Sequence, residues 1–139
     1  PFEDIVETFA FLDDWEDRYR HVIEMGRDLA PLAENERVPT TKVDGCASQV
    51  WLVPEIDGSG PDAVFRFRGE SDAMIVRGLI AILIAIYSGR TAREIVQTDA
   101  EAELERIDLS GHLSSQRSNG LKSMIARVRA LAQQTAEAA

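Results

Sequence analysis

The sequence predicts an α+β domain in which helices flank a small antiparallel β-sheet, and three observations carry that prediction. Val64-Phe65-Arg66-Phe67-Arg68 alternates apolar and basic residues, as a strand with one buried face does, and the strong turn signal Asp57-Gly58-Ser59-Gly60-Pro61-Asp62 stands just before it. Segments of helical apolar spacing occupy both ends of the chain. Between them, Ile75 to Tyr87 is apolar nearly all round, the mark of a helix enclosed by the rest of the fold. A chain of 139 residues with 45% hydrophobic content suffices for a single domain, 1–139, with its own core; no repeat or linker divides it.

Phe2, Ile5, Val6, Phe9 and Leu12 share one helical face, and after Asp13-Asp14 the pattern resumes with Trp15, Tyr19, Val22 and Ile23, so two short helices or one bent helix are expected. Trp15 and Tyr19, one turn apart, read as core residues. Pro31 to Thr41 holds two prolines and mixed charges without a period, and reads as a surface connection. From Lys42 to Val53, β-branched and aromatic residues surround a Gly45-Cys46-Ala47-Ser48 interruption and predict a strand paired antiparallel with the one after the turn. Ser71 is placed to cap the central helix, with Asp72 in its first turn at the positive end of the dipole, and Gly89 closes it. Thr91 and Glu94 form a capping-box pattern for a short helix through Gln97, and Asp99 caps another ending near Ile107. From about Ser118 to Gln133 a last amphipathic helix aligns Leu121, Met124, Ile125, Val128 and Leu131; Gly120 near its start costs about 1 kcal/mol of helix propensity relative to alanine.

The formal net charge of -9 and pI near 4.7 argue against a nucleic-acid surface, which needs clustered Lys and Arg. The most apolar stretch, Leu79 to Ile86, is too short to span a bilayer, so no membrane partner is expected. Pro1-Phe2-Glu3-Asp4 has neither the basic flank nor the apolar core of a secretory signal, and the reading is a reducing cytoplasmic setting. Lys42 and Lys122 lack a P-loop context, and His21 and His112 are too few and too far apart to suggest a metal site.

Chemistry concentrates on Cys46, the only cysteine, which excludes an internal disulfide and any multi-cysteine metal framework. Its thiol is either a buried, inert small hydrophobe or a reactive group. Gly45 permits a tight turn that leaves the sulfur uncrowded, while Val50 and Trp51 anchor the next strand in the core. Such a thiol suits attack on the outer sulfur of a persulfide, a reaction akin to thiol–disulfide exchange.

The segment DGCASQVW, residues 44–51, resembles the cysteine loop of the SufE family of sulfur acceptors. The likeness extends, in family order, to LDDWEDRYR at 12–20, GESDAMIVRGLIAIL at 69–83 and HLSSQRSNGL at 112–121, nearly the whole chain. Ala47 departs from the pattern, since many relatives carry glutamine there. The resemblance implies a SufE-type fold similar to IscU scaffolds and a persulfide sulfur accepted on Cys46. The implied donor is a SufS-type cysteine desulfurase, which the chain stimulates, and the implied recipient is the SufBCD scaffold of iron–sulfur cluster assembly. The chain would need no cofactor of its own, because the pyridoxal phosphate belongs to the desulfurase. Whether such a carrier ranks as an enzyme of sulfurtransferase type is left open.

The resemblance also implies that Arg117 lies near the cysteine loop, where a guanidinium supports the thiolate, whose ordinary pKa of about 8.5 leaves a few per cent ionised at neutral pH. Otherwise it is a solvated helix-terminal arginine. Asp44 opposes activation by like charge. Asp72 is either a cap-region carboxylate or, with Gly45, Ser48 and Gln49, part of the surface that meets the desulfurase; Gln49 either bonds the loop backbone or lies on the strand surface. Two other readings of Cys46 remain: packing in a purely allosteric desulfurase-binding module, or a thiol redox sensor.

Overall fold

The computed structural model describes residues 2–138. The order is α1 (Phe2–Phe11), α2 (Trp15–Arg27), β1 (Val50–Asp57), β2 (Val64–Ser71), α3 (Met74–Tyr87), β3 (Arg90–Thr91), α4 (Ala92–Gln97), α5 (Ala100–Glu105) and α6 (Ser115–Glu137), with short 3-10 turns at Glu34–Glu36, Gly60–Asp62 and Ser110–His112. The expected α+β architecture is what forms: a three-stranded antiparallel sheet in the order β1-β2-β3, flanked by helices.

The N-terminal pattern resolves into two helices. Asp14 accepts from the Glu16 amide at 2.9 Å and caps α2. Arg18 reaches back to donate to the carbonyls of Leu12 (2.7 Å) and Phe9 (3.0 Å), so the unsatisfied end of α1 is bonded by a side chain of α2. Trp15 and Tyr19 are half-buried at the border of the core.

Pairing of β1 and β2 runs from Val50 opposite Ser71 to Asp57 opposite Val64. On the outer side of β1, residues 41–43 add a short arm: Leu52 N donates to Thr41 O (2.9 Å), Val43 N donates to Val50 O (2.8 Å), and Lys42 bridges Trp51. By the same alternation, the nitrogen of Pro54 faces outward beyond that arm, where a missing N–H breaks no ladder bond.

The central helix is the core helix the sequence suggests. α3 packs against α2 on one side and β2 on the other, and Leu79, Ile80, Ile82 and Ile86 have almost no exposed surface. Gly26 and Gly78 let α2 and α3 approach closely, since a Cβ on Gly78 would collide with the Val22 carbonyl. Arg77 ties the crossing by donating to the carbonyls of Gly26 (3.1 Å) and Leu29 (3.2 Å).

Three boundaries differ from expectation. Ser71 does not cap α3: β2 keeps its ladder through Ser71, which pairs with Val50, so the helix starts only at Met74. The Thr91/Glu94 box and the Asp99 cap form as read, although α5 ends at Glu105. α6 starts earlier than the apolar pattern indicates, because Ser114 caps it through the Arg117 amide (3.3 Å), and it runs on to Glu137. Among the described residues no helix is long and apolar enough to cross a membrane.

Candidate functional site

Cys46 sits at the tip of the turn that joins the 41–43 arm to β1. Val43 and Val50 close the base of that turn with a backbone bond and are buried, which anchors both legs in the core. Gly45 makes the turn with φ of +89°, a region L side chains rarely adopt, and an added Cβ would lie 2.5 Å from Ser123 Oγ. From α6, Arg127 donates to the carbonyls of Lys42 (3.1 Å) and Thr40, bracing the arm from behind. At the other leg, Gln49 N donates to Asp72 Oδ1 (3.0 Å) and Asp72 N donates to Gln49 O (3.4 Å), a closed ring joining the turn to the β2–α3 link.

These braces lay the turn along α6. The Cys46 thiol donates to the Gly120 carbonyl at 3.6 Å and borders a cavity of about 270 Å³ between α3 and α6. Ile75, Val76 and Leu79 form one wall, Leu121 and Met124 the other, and Ser48, Ser114 and Arg117 stand among the polar lining residues. Cys46 is half-buried. Burial pushes its thiol above the ordinary range, and the Asp44 carboxylate adds to the rise. The resting sulfur is therefore a sheltered thiol, open to the cavity, whose ionisation burial and Asp44 disfavour.

Of the residues singled out in the sequence, Cys46, Ser48 and Arg117 meet at this cavity, and Gly45 shapes the turn beside it. Arg117 is exposed. Asp72 is neither in the first turn of α3 nor a cap; it precedes the helix and bonds the cysteine turn instead. Gln49 lies just before β1, exposed, and its bonds to Asp72 are made by its backbone. The histidines pack on aromatic rings: His112 stacks on Trp15 at 3.8 Å between centroids, and His21 meets Phe9 edge-on at 5.9 Å. Among the described residues no group of three or more His, Cys, Asp or Glu is arranged to hold a metal ion. Sequence reasoning missed Ser123, Arg127 and the place of Gly120. The Ser114 cap could have brought the first turn of α6 into view, whereas nothing local marks Arg127 as a brace for a turn 85 residues away.

Among known protein families, the SufE family, described as an Fe-S metabolism associated domain, matches residues 3–132. This chain belongs to the SufE family. An uncharacterized SufE-like protein of Rhizobium etli is 55% identical over 127 residues, covering 91% of this chain and 86% of that protein. Another, from Rhizobium meliloti, is 53% identical over 131 residues, 94% of either chain. A solution structure of a hypothetical protein from Thermus thermophilus superposes with a TM-score of 0.74 at 16% identity, covering 99% of this chain and 96% of the other, which shows the fold to be shared. The matched residues include the SufE cysteine turn, the whole of α3 and the part of α6, up to Met124, that walls the cavity.

Proposed function

We propose that this SufE-family chain is a sulfur carrier: Cys46 accepts the outer sulfur of a persulfide held by a SufS-type cysteine desulfurase, and the sulfur then passes to the SufBCD scaffold for cluster assembly. The observation that carries the reading is the sole cysteine, held at the tip of a braced turn over a cavity with room beside its sulfur. In the transfer, the Cys46 thiol loses its proton and the thiolate attacks the outer sulfur of the donor. A new S–S bond forms on Cys46 as the donor's S–S bond breaks, and the donor cysteine leaves as a thiolate. Pyridoxal phosphate serves the desulfurase, and the carrier needs no cofactor of its own.

The raised thiol gives the partner a task. Because few thiolates exist at rest, docking must move the turn out of its half-buried seat or bring a cation to it, and Arg117 at the cavity stands ready to support the ionised sulfur. Relief of the desulfurase from its persulfide accounts for stimulation. Sensor cysteines are exposed and readily ionised, so a half-buried thiol with its pKa pushed upward speaks against a redox sensor. A free thiol suits a reducing cytoplasm.

The test is mass spectrometry of the chain after incubation with desulfurase and cysteine. One added sulfur atom is expected on Cys46 and none on Cys46→Ser, whose fold is preserved. If the serine variant stimulates turnover as fully as the native chain, the allosteric module replaces the carrier.

A further inference from the structure

We infer that Gly120 is a positioning residue whose missing side chain leaves the space in which the outer sulfur of a Cys46 persulfide is seated. The inference rests on the sulfur-carrier reading and adds a residue to it. Gly120 is buried, five residues into a helix of 23, where glycine is the least favoured residue apart from proline. Nothing in its backbone requires it, since its φ is not among the positive ones. The three atoms its absent Cβ would meet first all belong to Cys46: Sγ at 3.4 Å, Cβ at 3.7 Å and Cα at 3.8 Å. Those are ordinary van der Waals distances, so an alanine fits against the reduced thiol.

The thiol form therefore leaves the glycine unexplained, and a larger occupant of the same space explains it. A persulfide places a second sulfur about 2 Å from Sγ. Sγ already points along α6 at the Gly120 carbonyl, so a second sulfur seated on that side of the cavity falls where an alanine methyl would stand. With glycine the outer sulfur lies among Leu121, Met124 and the α3 wall; with alanine it is displaced toward the mouth, where small thiols reach it.

The experiment compares the native chain with Gly120→Ala, each loaded with inorganic polysulfide. In loading, the Cys46 thiolate takes one sulfur from the polysulfide, which leaves one sulfur shorter. Glutathione is then added; its thiolate bonds the outer sulfur as the Cys46 S–S bond breaks and Cys46 leaves as a thiolate. The rate of this loss is divided by the iodoacetamide alkylation rate of the same protein's reduced thiol, which cancels any general loosening of the turn. In the variant the ratio is expected to rise about fivefold, the factor corresponding to ~1 kcal/mol of lost shelter. A ratio equal to the native one overturns the assignment. Should alanine unsettle the helix, seen as a lower thermal midpoint, Gly120→Ser is measured alongside, and a native ratio there overturns it equally. Because polysulfide loads both proteins without a desulfurase, failure to accept sulfur from the desulfurase counts against the carrier reading and leaves this comparison intact.

Discussion

At the scale of single residues, the state of Cys46 follows from two neighbours with opposite means of control. Burial and Asp44 hold its thiol protonated, so the pH midpoint of its alkylation is expected above that of free cysteine. Asp44→Asn removes the smaller cause and should lower the midpoint slightly, while burial keeps it above the free value; a midpoint at or below free cysteine in the native chain contradicts the burial account. Asp72 acts on the turn instead of on the thiol. Its ring of bonds with Gln49 joins two exposed segments, and loss of its carboxylate bond to the Gln49 amide should cost about 1 kcal/mol. Asp72→Ala is thus expected to speed alkylation of Cys46 about fivefold, an equilibrium shift of that size toward the open turn. These two residues also mark the limit of what local sequence could reveal. Cys46 was legible because a lone cysteine beside glycine is conspicuous in any order. Asp72 was not: it has the look of a helix-start carboxylate, and only the continued pairing of β2 carries it to a turn 23 residues back.

At the scale of elements, legibility tracks how local the deciding contact is. The Thr91/Glu94 box closes within three residues, and it was readable as written: Glu94 N donates to Thr91 Oγ1 (3.2 Å) and Thr91 N donates to Glu94 Oε1 (2.9 Å). The 41–43 arm depends on Arg127 of α6 and on β1, so its sequence suggested strand character while its partner could not be read. The early start of α6 is local by contrast, since the Ser114 cap closes within three residues and fixes an end that apolar periodicity leaves vague. The same contrast yields two expectations. Thr91→Ala should lower stability by about 1 kcal/mol, visible as a lower thermal midpoint, with no effect on Cys46. Arg127→Ala should do the reverse: it frees the Thr40 and Lys42 carbonyls at the surface, barely changes the global midpoint, and speeds hydrogen exchange at the Val43 and Leu52 amides that bond the arm to β1. Protection of those two amides at native levels in the variant would show that the arm stands without its brace.

At the scale of the whole molecule, ion pairs fasten the irregular connection to the sheet. Glu36, in the 3-10 turn of that connection, pairs with Arg68 on β2, which also donates to Glu55 on β1 at 3.1 Å; Arg37 pairs with Glu70 at 3.1 Å, and Glu70 accepts from the Leu32 amide at 2.9 Å. A segment without a period is thereby held against the strands whose upper ends carry the cysteine turn. Hydrogen bonds from Arg68, then from the Ala33 amide, lower the Glu36 carboxyl from 4.5 to about 2. In the unfolded chain that carboxyl binds its proton at higher pH than in the folded one, so between these values unfolding takes up protons. The contribution of Glu36 to stability is then complete above 4.5 and is lost as pH falls through about 2. Other carboxylates titrate in the same range, and loss of negative charge from a chain of net charge -9 eases self-repulsion, so the raw acid profile mixes opposing effects. Glu36→Gln isolates the one of interest. Across the acid window its thermal midpoint should fall less steeply than that of the native chain, with the two curves separated near neutrality and converging as pH drops toward 2. The separation should shrink in high salt, because the pair is partly exposed. Parallel curves across the window would mean that the Glu36 clamp contributes nothing to the acid dependence, and that the connection is held by the Glu70 contacts and the burial of Leu32.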